Sequence, residues 1–220
     1  MAKKKLERFA EIATFPNVIQ APVYIGLGDH PIRGKWGAEM FGNEKAIILE
    51  LGCGRGEYTL SLGTKYPDKN FIGIDIKGNR LWRGSKTAFE TGMKNVAFLR
   101  IQIEQIEHFF SEGEIDEIWI TFPDPQLKDR NEPKRLTSPQ FLARYRKIMG
   151  EKGSLHLKTD NHQLFEYTLG TIGSLGLRLL KKIEDIHQNI ETEEVLKVLT
   201  TYEKIFMRQG LPIYYLHFAF

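Results

Sequence analysis

The sequence predicts an α/β protein with one domain built on a parallel β-sheet. Apolar runs typical of strands alternate with helix-like segments along most of the 220 residues, which is the pattern of strands joined by crossover helices. Two runs, Ile47-Ile48-Leu49 and Ile118-Trp119-Ile120, are continuous and not alternating, as in central strands that helices cover on both faces. With 41% hydrophobic residues, the chain can bury one sizeable core.

The domain is predicted to span residues 1–220. Six candidate strands cover residues 46–51, 70–76, 96–101, 115–122, 154–159 and 213–220. Helices are expected between them, and the clearest has Ser138 as its N-cap, Pro139 as its first residue and Gly150 at its end. Residues 1–42 are interpreted as an extension, with a short helix over residues 3–13 and then a loop-rich approach that contains three prolines and five glycines.

Composition excludes several classes of protein. No window approaches the roughly 18 consecutive apolar residues of a membrane helix, and the first residues lack the apolar stretch of a signal peptide. Cys53 is the single cysteine, which excludes an intrachain disulfide and a zinc site of several cysteines. The six histidines are scattered and suggest no metal site. We therefore expect a cytoplasmic protein with no membrane partner and no metal.

Positive charge is concentrated in one stretch. Residues 128–152 contain eight cations and three carboxylates, whereas the net charge of the whole chain is +3. A local excess of this kind is expected of a surface that meets an anion, and a solvated helix face is the alternative.

A glycine-rich loop follows the first predicted strand. Gly52, Gly54 and Gly56 alternate directly after it, and Glu50 stands two residues upstream. Glycine permits positive φ and close approach of a ligand to the backbone, which suits a nucleotide-like group over the end of the strand. Asp75 ends the run Phe71-Ile72-Gly73-Ile74-Asp75 of the second predicted strand, 19 residues after Gly56. A carboxylate at this place would accept hydrogen bonds from ribose hydroxyls.

The ligand of this loop is predicted to be an adenosine derivative. Nicotinamide and ATP are disfavoured, because Glu57 stands where a dinucleotide loop needs its third glycine and no Walker sequence occurs. The loop with Glu50 resembles the first motif of class I S-adenosylmethionine-dependent methyltransferases. Adenine should lie near the end of the third predicted strand, where Gln102 could accept from its amino group; an ordinary surface polar residue is the alternative.

The fourth predicted strand ends at an acidic turn. Asp124 lies between Pro123 and Pro125, which would restrict the carboxylate next to the reactive end of the ligand at the topological switch point. A plain Pro-Asp-Pro turn is the alternative. Cations follow within a few residues, and phosphates are their natural counter-ions.

Taken in order, several motifs resemble the bacterial tRNA (guanine-N7-)-methyltransferase family. They are Glu50-Leu-Gly-Cys-Gly-Arg-Gly56, Phe122-Pro-Asp-Pro125 with Lys128, the basic run from Arg130 to Arg135, Leu157-Lys-Thr-Asp160-Asn161, and Thr200-Thr-Tyr-Glu203 followed by Gly210-Leu-Pro-Ile-Tyr214. The resemblance implies a doubly wound, mostly parallel seven-stranded sheet with helices on both faces. It also implies methylation of a guanosine N7 in the tRNA variable loop, with S-adenosylmethionine as donor and tRNA as partner.

The resemblance also assigns roles to residues. Those expected to contact the methyl donor are Glu50, Gly52, Gly54, Gly56, Asp75, Gln102 and Asp124. Asp124 is in addition the expected catalytic residue. Those expected to bind the substrate nucleotide are Lys128, Asp160, Thr200 and Glu203, and those expected to touch RNA are Arg130, Lys134 and Arg135. The family usually has tryptophan where Gln126 stands, and commonly aspartate where Gln102 stands.

Guanine N7 carries an in-plane lone pair and no proton, so it can attack the donor methyl group without a general base, and positioning should dominate catalysis. We expect Asp124, Asp160 or Glu203 to accept from N1–H and the amino group of guanine. Two alternatives stay open: an amino-group methyltransferase acting on DNA or RNA, and a noncatalytic RNA-binding protein that keeps this fold. The protein is expected to be a monomer or a homodimer.

Overall fold

Eight strands form one sheet in the computed structural model, which describes residues 2–23, 26, 28–150, 153–188 and 193–220, with side chains from residue 6 onward. The strands are β1 (Val18–Gln20), β2 (Ile47–Leu51), β3 (Asn70–Ile74), β4 (Val96–Arg100), β5 (Glu117–Thr121), β6 (Ser154–Thr159), β7 (Arg178–Ile183) and β8 (Tyr214–Ala219). Their spatial order is β1-β4-β3-β2-β5-β6-β8-β7. All neighbours pair in parallel except β8, which is antiparallel to β6 and β7.

The connections are mostly helical. The helices are α1 (Ala2–Ile12), α2 (Glu57–Lys65), α3 (Gly78–Glu90), α4 (Pro139–Met149), α5 (His162–Ser174) and α6 (Thr201–Arg208). A π-helical segment (Trp36–Phe41) and two 3-10 segments (Ile103–His108 and Asp129–Lys134) complete the regular structure. The sheet changes its winding direction between β2 and β5, so the carboxyl ends of these strands flank the topological switch point.

Each face of the sheet has its own apolar core, because successive side chains of a strand point to opposite faces. Leu49 and Leu51 pack in a core with residues of α4 and α5. Ile48 instead belongs to a second core with residues of α1, α2 and α3. The predicted doubly wound α/β architecture is therefore confirmed.

The expected strand number of seven is wrong, since the sheet has eight strands. β1 has three residues and lies in the segment interpreted as loop-rich, and its register against β4, with Val18 opposite Phe98, depends on a pairing distant in sequence. β7 is not among the six candidates from the sequence. Its residues, RLLKKI, do not alternate between apolar and polar, and both Leu179 and Leu180 are exposed at the edge of the sheet.

The N-terminal extension contains more structure than expected. It includes β1 and the π-helical segment, whose Trp36 is fully buried and donates from Nε1 to the carbonyl of Phe109 at 2.9 Å. Glu114 accepts from the backbone N–H groups of Gly34 and Trp36 at 2.8 and 3.0 Å. These contacts attach the extension to the core.

Two helical glycines provide a matched test of this packing. A Cβ on Gly63 in α2 would lie 2.3 Å from Val96 Cγ2 and 3.1 Å from Met93 Cε, whereas one on Gly170 in α5 would meet nothing within 4 Å. Gly63→Ala should lower the free energy of unfolding by about 1–3 kcal/mol through overpacking. Gly170→Ala should raise it by about 0.5–1 kcal/mol through helix propensity. Urea denaturation measures both, and equal effects would contradict the packing at Gly63.

Candidate active site

The three glycines of the loop after β2 have different surroundings. Their φ values are +72°, +56° and +70° for Gly52, Gly54 and Gly56, in the region that favours glycine. A Cβ on Gly52 would meet nothing within 4 Å, and one on Gly54 would meet only the Gly52 carbonyl oxygen at 4.0 Å. A Cβ on Gly56 would lie 2.6 Å from Phe98 Cε1. The first two glycines thus leave an open cradle, and the third permits close packing.

Asp75 follows β3 and holds this loop. Its Oδ2 accepts from the N–H of Gly54 at 2.9 Å, and its Oδ1 accepts from the N–H of Lys77 at 2.7 Å. Each carboxylate oxygen keeps further acceptor capacity. The structure therefore brings the predicted ribose acceptor directly against the predicted glycine loop.

Glu50 lies beneath the loop and is buried. Its carboxylate accepts from the N–H of Thr59 at 2.9 Å, from the Thr59 hydroxyl, and from the Thr121 hydroxyl at 2.7 Å. Burial raises the pKa of Glu50 to about 7, although these hydrogen bonds oppose the shift. The residue connects β2 to α2 and to β5, and no motif in the sequence singles out its two threonine partners.

Asp124 lies at the carboxyl end of β5 in a constrained turn. Phe122 and Gln126 have φ of 49° and 48° and are the two non-glycine residues with positive φ in the described part of the chain. The exposed Asp124 accepts from the N–H of Gln126 through Oδ1 at 3.1 Å. Such backbone strain costs of order 1–3 kcal/mol per residue and concentrates at functional sites.

The remaining predicted contacts lie along the same edge. Gln102 is exposed two residues after β4, and Asp160 is partly buried directly after β6. Burial raises the pKa of Asp160. Three strand spacings separate β4 from β5, about 14 Å, so an elongated ligand can extend from Gln102 past Asp75 and the glycine loop towards Asp124.

Glu203, a predicted substrate contact, is enclosed by the protein in this structure. It is fully buried, and both of its carboxylate oxygens accept from the buried Lys158 Nζ, at 3.1 and 2.9 Å. Lys158 Nζ also donates to the carbonyl of Leu196 at 3.2 Å. Burial lowers the pKa of Lys158, and the charge of Glu203 opposes this shift. The predicted substrate contact is thus an internal ion pair in this structure, formed between residues 45 positions apart.

Thr200 also has a structural role in this arrangement. It is buried, and its hydroxyl caps α6 by accepting from the N–H of Glu203 at 3.2 Å. The neighbouring Thr201 donates from its N–H and its hydroxyl to the carboxylate of Glu57 at 2.5 and 2.6 Å. Glu57 begins α2 directly after the glycine loop, so this contact joins the loop to the segment that begins α6.

Two of these partners carried a signal in the sequence. Lys158 is a charged residue inside a predicted strand, next to the apolar Leu157, which indicates either a buried pair or a functional group. Glu57 replaces the third glycine of a dinucleotide loop. Neither signal identifies the partner, because Glu203 and Thr201 lie far along the chain.

The cations of the basic stretch differ in exposure and in whether a carboxylate of the chain pairs with them. Lys128, Arg130 and Lys134 are exposed on or beside the 3-10 segment Asp129–Lys134. On α4, Arg144 and Lys147 instead pair with Glu107 at 3.1 and 2.8 Å. Residues 151 and 152, at the end of the stretch, lie outside the described residues.

Arg135, a predicted RNA contact, is buried in this structure. It is 6% exposed. Its Nε donates to the carbonyl of Gln126 at 3.2 Å, and its guanidinium lies 4.2 Å from the ring centroid of Tyr167. The sequence does not separate Arg135 from Lys134, because charge alone does not distinguish a buried guanidinium from an exposed ammonium.

Other features lie away from this edge. A groove of about 460 Å³ is lined by residues of α2, the end of α3 and the segment before β4, which is the amino edge of the sheet.

No cluster of three or more His, Cys, Asp or Glu suited to a metal ion occurs among the described residues. In the same residues, no helix has the length and apolarity to cross a membrane.

Comparisons with known proteins agree with this fold. A solved 16S rRNA methyltransferase, KamB, superimposes with a TM-score of 0.63 at 14% identity, over 82% of this chain and 90% of its own. Residues 44–216 match a family model described as "Putative methyltransferase". Fold and site together define a class I methyltransferase.

Two relatives identify the family more closely. The tRNA (guanine-N(7)-)-methyltransferase of Christiangramia forsetii is 49% identical over 99% of this chain and 98% of its own length. The enzyme of the same name from Bacteroides fragilis is 48% identical over 99% of this chain and 86% of its own length. This chain belongs to the tRNA (guanine-N(7)-)-methyltransferase family, as its motifs predicted.

The raised pKa of Glu50 predicts a pH-dependent stability. The folded protein keeps a proton on Glu50 up to a pKa of about 7, against an ordinary value of 4.5, so its free energy of unfolding falls as pH rises between these values. This decline in the free energy of unfolding, on the order of 3 kcal/mol, should be absent in Glu50→Gln. Urea titrations from pH 4.5 to 8 measure it, with the exposed Glu7→Gln as control. Parallel pH profiles for wild type and Glu50→Gln would contradict the assignment.

Proposed function

We propose that this protein transfers the methyl group of S-adenosylmethionine to N7 of a guanosine in the variable loop of tRNA. The observation that carries the proposal is the juxtaposition of an open glycine cradle, the Asp75 carboxylate bonded to that cradle, and the Asp124 turn, which follows the neighbouring strand β5. Family membership supplies the substrate class. With tRNA as its substrate, the enzyme would act in the cytoplasm.

The donor fits the residues at the carboxyl edge. Gly52 and Gly54 would accommodate its methionine and ribose portions, because a Cβ at either position meets no side chain. Asp75 would accept from the ribose hydroxyls with its free lone pairs. Gln102 would meet the adenine. Glu50 would act mainly from below, fixing α2 and β5 on either side of the loop through Thr59 and Thr121.

The reaction needs orientation more than proton transfer. S-adenosylmethionine supplies an electrophilic methyl group; the N7 lone pair forms the new C–N bond as the C–S bond breaks, and the sulfur keeps the bonding electron pair. Guanine gains a positive charge, and no proton has to leave before attack. Asp124 would hold guanine in line with the donor and stabilise the developing charge.

Two acidic residues, and not the three expected from the sequence, are proposed to recognise guanine. Glu203 is occupied by Lys158, so Asp124 and Asp160 are the proposed acceptors for guanine N1–H and its amino group. They follow the neighbouring strands β5 and β6. The Lys158–Glu203 pair would instead hold the Thr200–Glu203 segment beside the site.

Product identification tests the proposal directly. Unmodified tRNA is incubated with labelled S-adenosylmethionine, digested to nucleosides and mapped for the modified position. The expected product is 7-methylguanosine in the variable loop. An N-methylated amino group would favour the amino-group methyltransferase, and absence of donor binding by calorimetry in a folded sample would favour the RNA-binding alternative.

Asp124→Asn tests the role of the acidic turn. The amide keeps the shape of the side chain but loses the negative charge, so turnover at saturating substrates should fall by roughly 100-fold or more. The affinity for S-adenosylmethionine, measured by calorimetry, should change less than about threefold. Equal losses of turnover and donor affinity would show that Asp124 merely holds the donor.

Lys134→Ala tests the basic stretch. Lys134 is exposed beside the Asp124 turn, and loss of one phosphate contact should reduce the slope of log affinity for tRNA against log salt by about 1. Lys94→Ala is the matched control, because Lys94 is an exposed lysine at the opposite edge of the sheet, before β4. An unchanged slope in Lys134→Ala would leave a solvated surface and no RNA contact.

A further inference from the structure

We infer that Arg135 is a positioning residue for the Asp124 turn and does not contact RNA phosphates. The inference rests on the proposed role of Asp124. Arg135 lies inside the basic stretch, which the sequence predicts to bind RNA. We expect its loss to lower turnover and to leave tRNA affinity unchanged.

Gln126 is the link between Arg135 and Asp124. Its N–H donates to Asp124 Oδ1 at 3.1 Å, and its carbonyl accepts from Arg135 Nε at 3.2 Å. Both backbone polar groups of this residue are therefore occupied while its φ is 48°. A non-glycine residue adopts such a backbone when its surroundings hold it there. Arg135 supplies one of the two contacts, and the side chain of Asp124 supplies the other.

Arg135 is itself held in place from three directions. Its guanidinium packs over the ring of Tyr167, a residue of α5 whose hydroxyl donates to Glu132. The N–H of Arg135 donates to the carbonyl of Glu132 at 3.0 Å, and its carbonyl accepts from the N–H of Ser138 at 2.9 Å. The Asp124 turn is thus connected to the 3-10 segment and to the start of α4.

The same geometry argues against a phosphate contact. With 6% of Arg135 exposed, and with its Nε bonded to the Gln126 carbonyl and one face of its guanidinium on Tyr167, the side chain offers a phosphate little accessible surface. Lys134, the preceding residue, is exposed and can reach a phosphate without any rearrangement. The bond to position 126 uses the backbone carbonyl, so it does not depend on which side chain stands there.

The test compares Arg135→Lys, Arg135→Ala and Lys134→Ala, with Lys94→Ala as the neutral control. Measurements are kcat and KM for unmodified tRNA, the salt dependence of tRNA affinity, donor affinity by calorimetry and the melting temperature. We expect Arg135→Lys to lower kcat by roughly tenfold or more, because lysine lacks the planar fork and a small misplacement of a reacting group is costly. The tRNA salt slope and the donor affinity should stay at the wild-type values.

A double variant gives the sharpest readout. If Arg135 acts through Asp124, then Arg135→Lys in the Asp124→Asn background should lower turnover by less than about twofold further, because the two losses are not additive. Multiplicative losses would overturn the inference. Near-wild-type kcat in Arg135→Lys would also overturn it, as would a tRNA salt slope that falls by about 1 in Arg135→Ala.

Two further controls keep the result interpretable. If Arg135→Ala does not fold, Arg135→Lys decides alone, since lysine still binds phosphate and a phosphate role would preserve its kcat. Failure of the proposed function is separately visible, because wild-type protein would then form no 7-methylguanosine. Wild-type activity together with full kcat in Arg135→Lys would overturn the positioning role alone.

Discussion

The buried carboxylate of Glu50 is the interaction on which the site depends. It connects the strand before the glycine loop to the helix after the loop, through Thr59, and to the strand that carries Asp124, through Thr121. A buried carboxyl group that accepts three hydrogen bonds tolerates little displacement, because a buried polar group that loses its partners is costly. The loop that would hold the donor and the turn that would hold guanine are therefore positioned by one side chain.

A buried ion pair holds the chain in place on the other side of the site. Lys158, on β6, pairs with Glu203 at the start of α6, and Thr201 binds Glu57 at the start of α2. A buried pair of this kind is weak support for stability, since desolvation offsets most of the attraction. The pair instead fixes a position, because it holds the Thr200–Glu203 segment next to the carboxyl edge of the sheet.

Cations of the basic stretch divide in the same way. Exposed residues such as Lys134 keep their charge at the surface, where phosphate attraction depends on salt. Arg135 is enclosed and directs its charge at a backbone carbonyl and an aromatic ring. In the proposed roles, these neighbouring residues of like charge would serve different steps: Lys134 would affect tRNA affinity, and Arg135 would affect the geometry of the Asp124 turn.

The sequence alone determined the α/β class, the glycine loop, the acid after β3 and the limits of α4, because backbone preferences of glycine, proline and apolar runs act over a few residues. The family resemblance added the substrate and its candidate residues. Only the tertiary structure decided the eighth strand and the burial of Arg135, Lys158 and Glu203. Burial of a charged side chain depends on partners far along the chain, such as Leu196 and Glu203 for Lys158, and those partners meet only when the sheet and its covering segments have assembled.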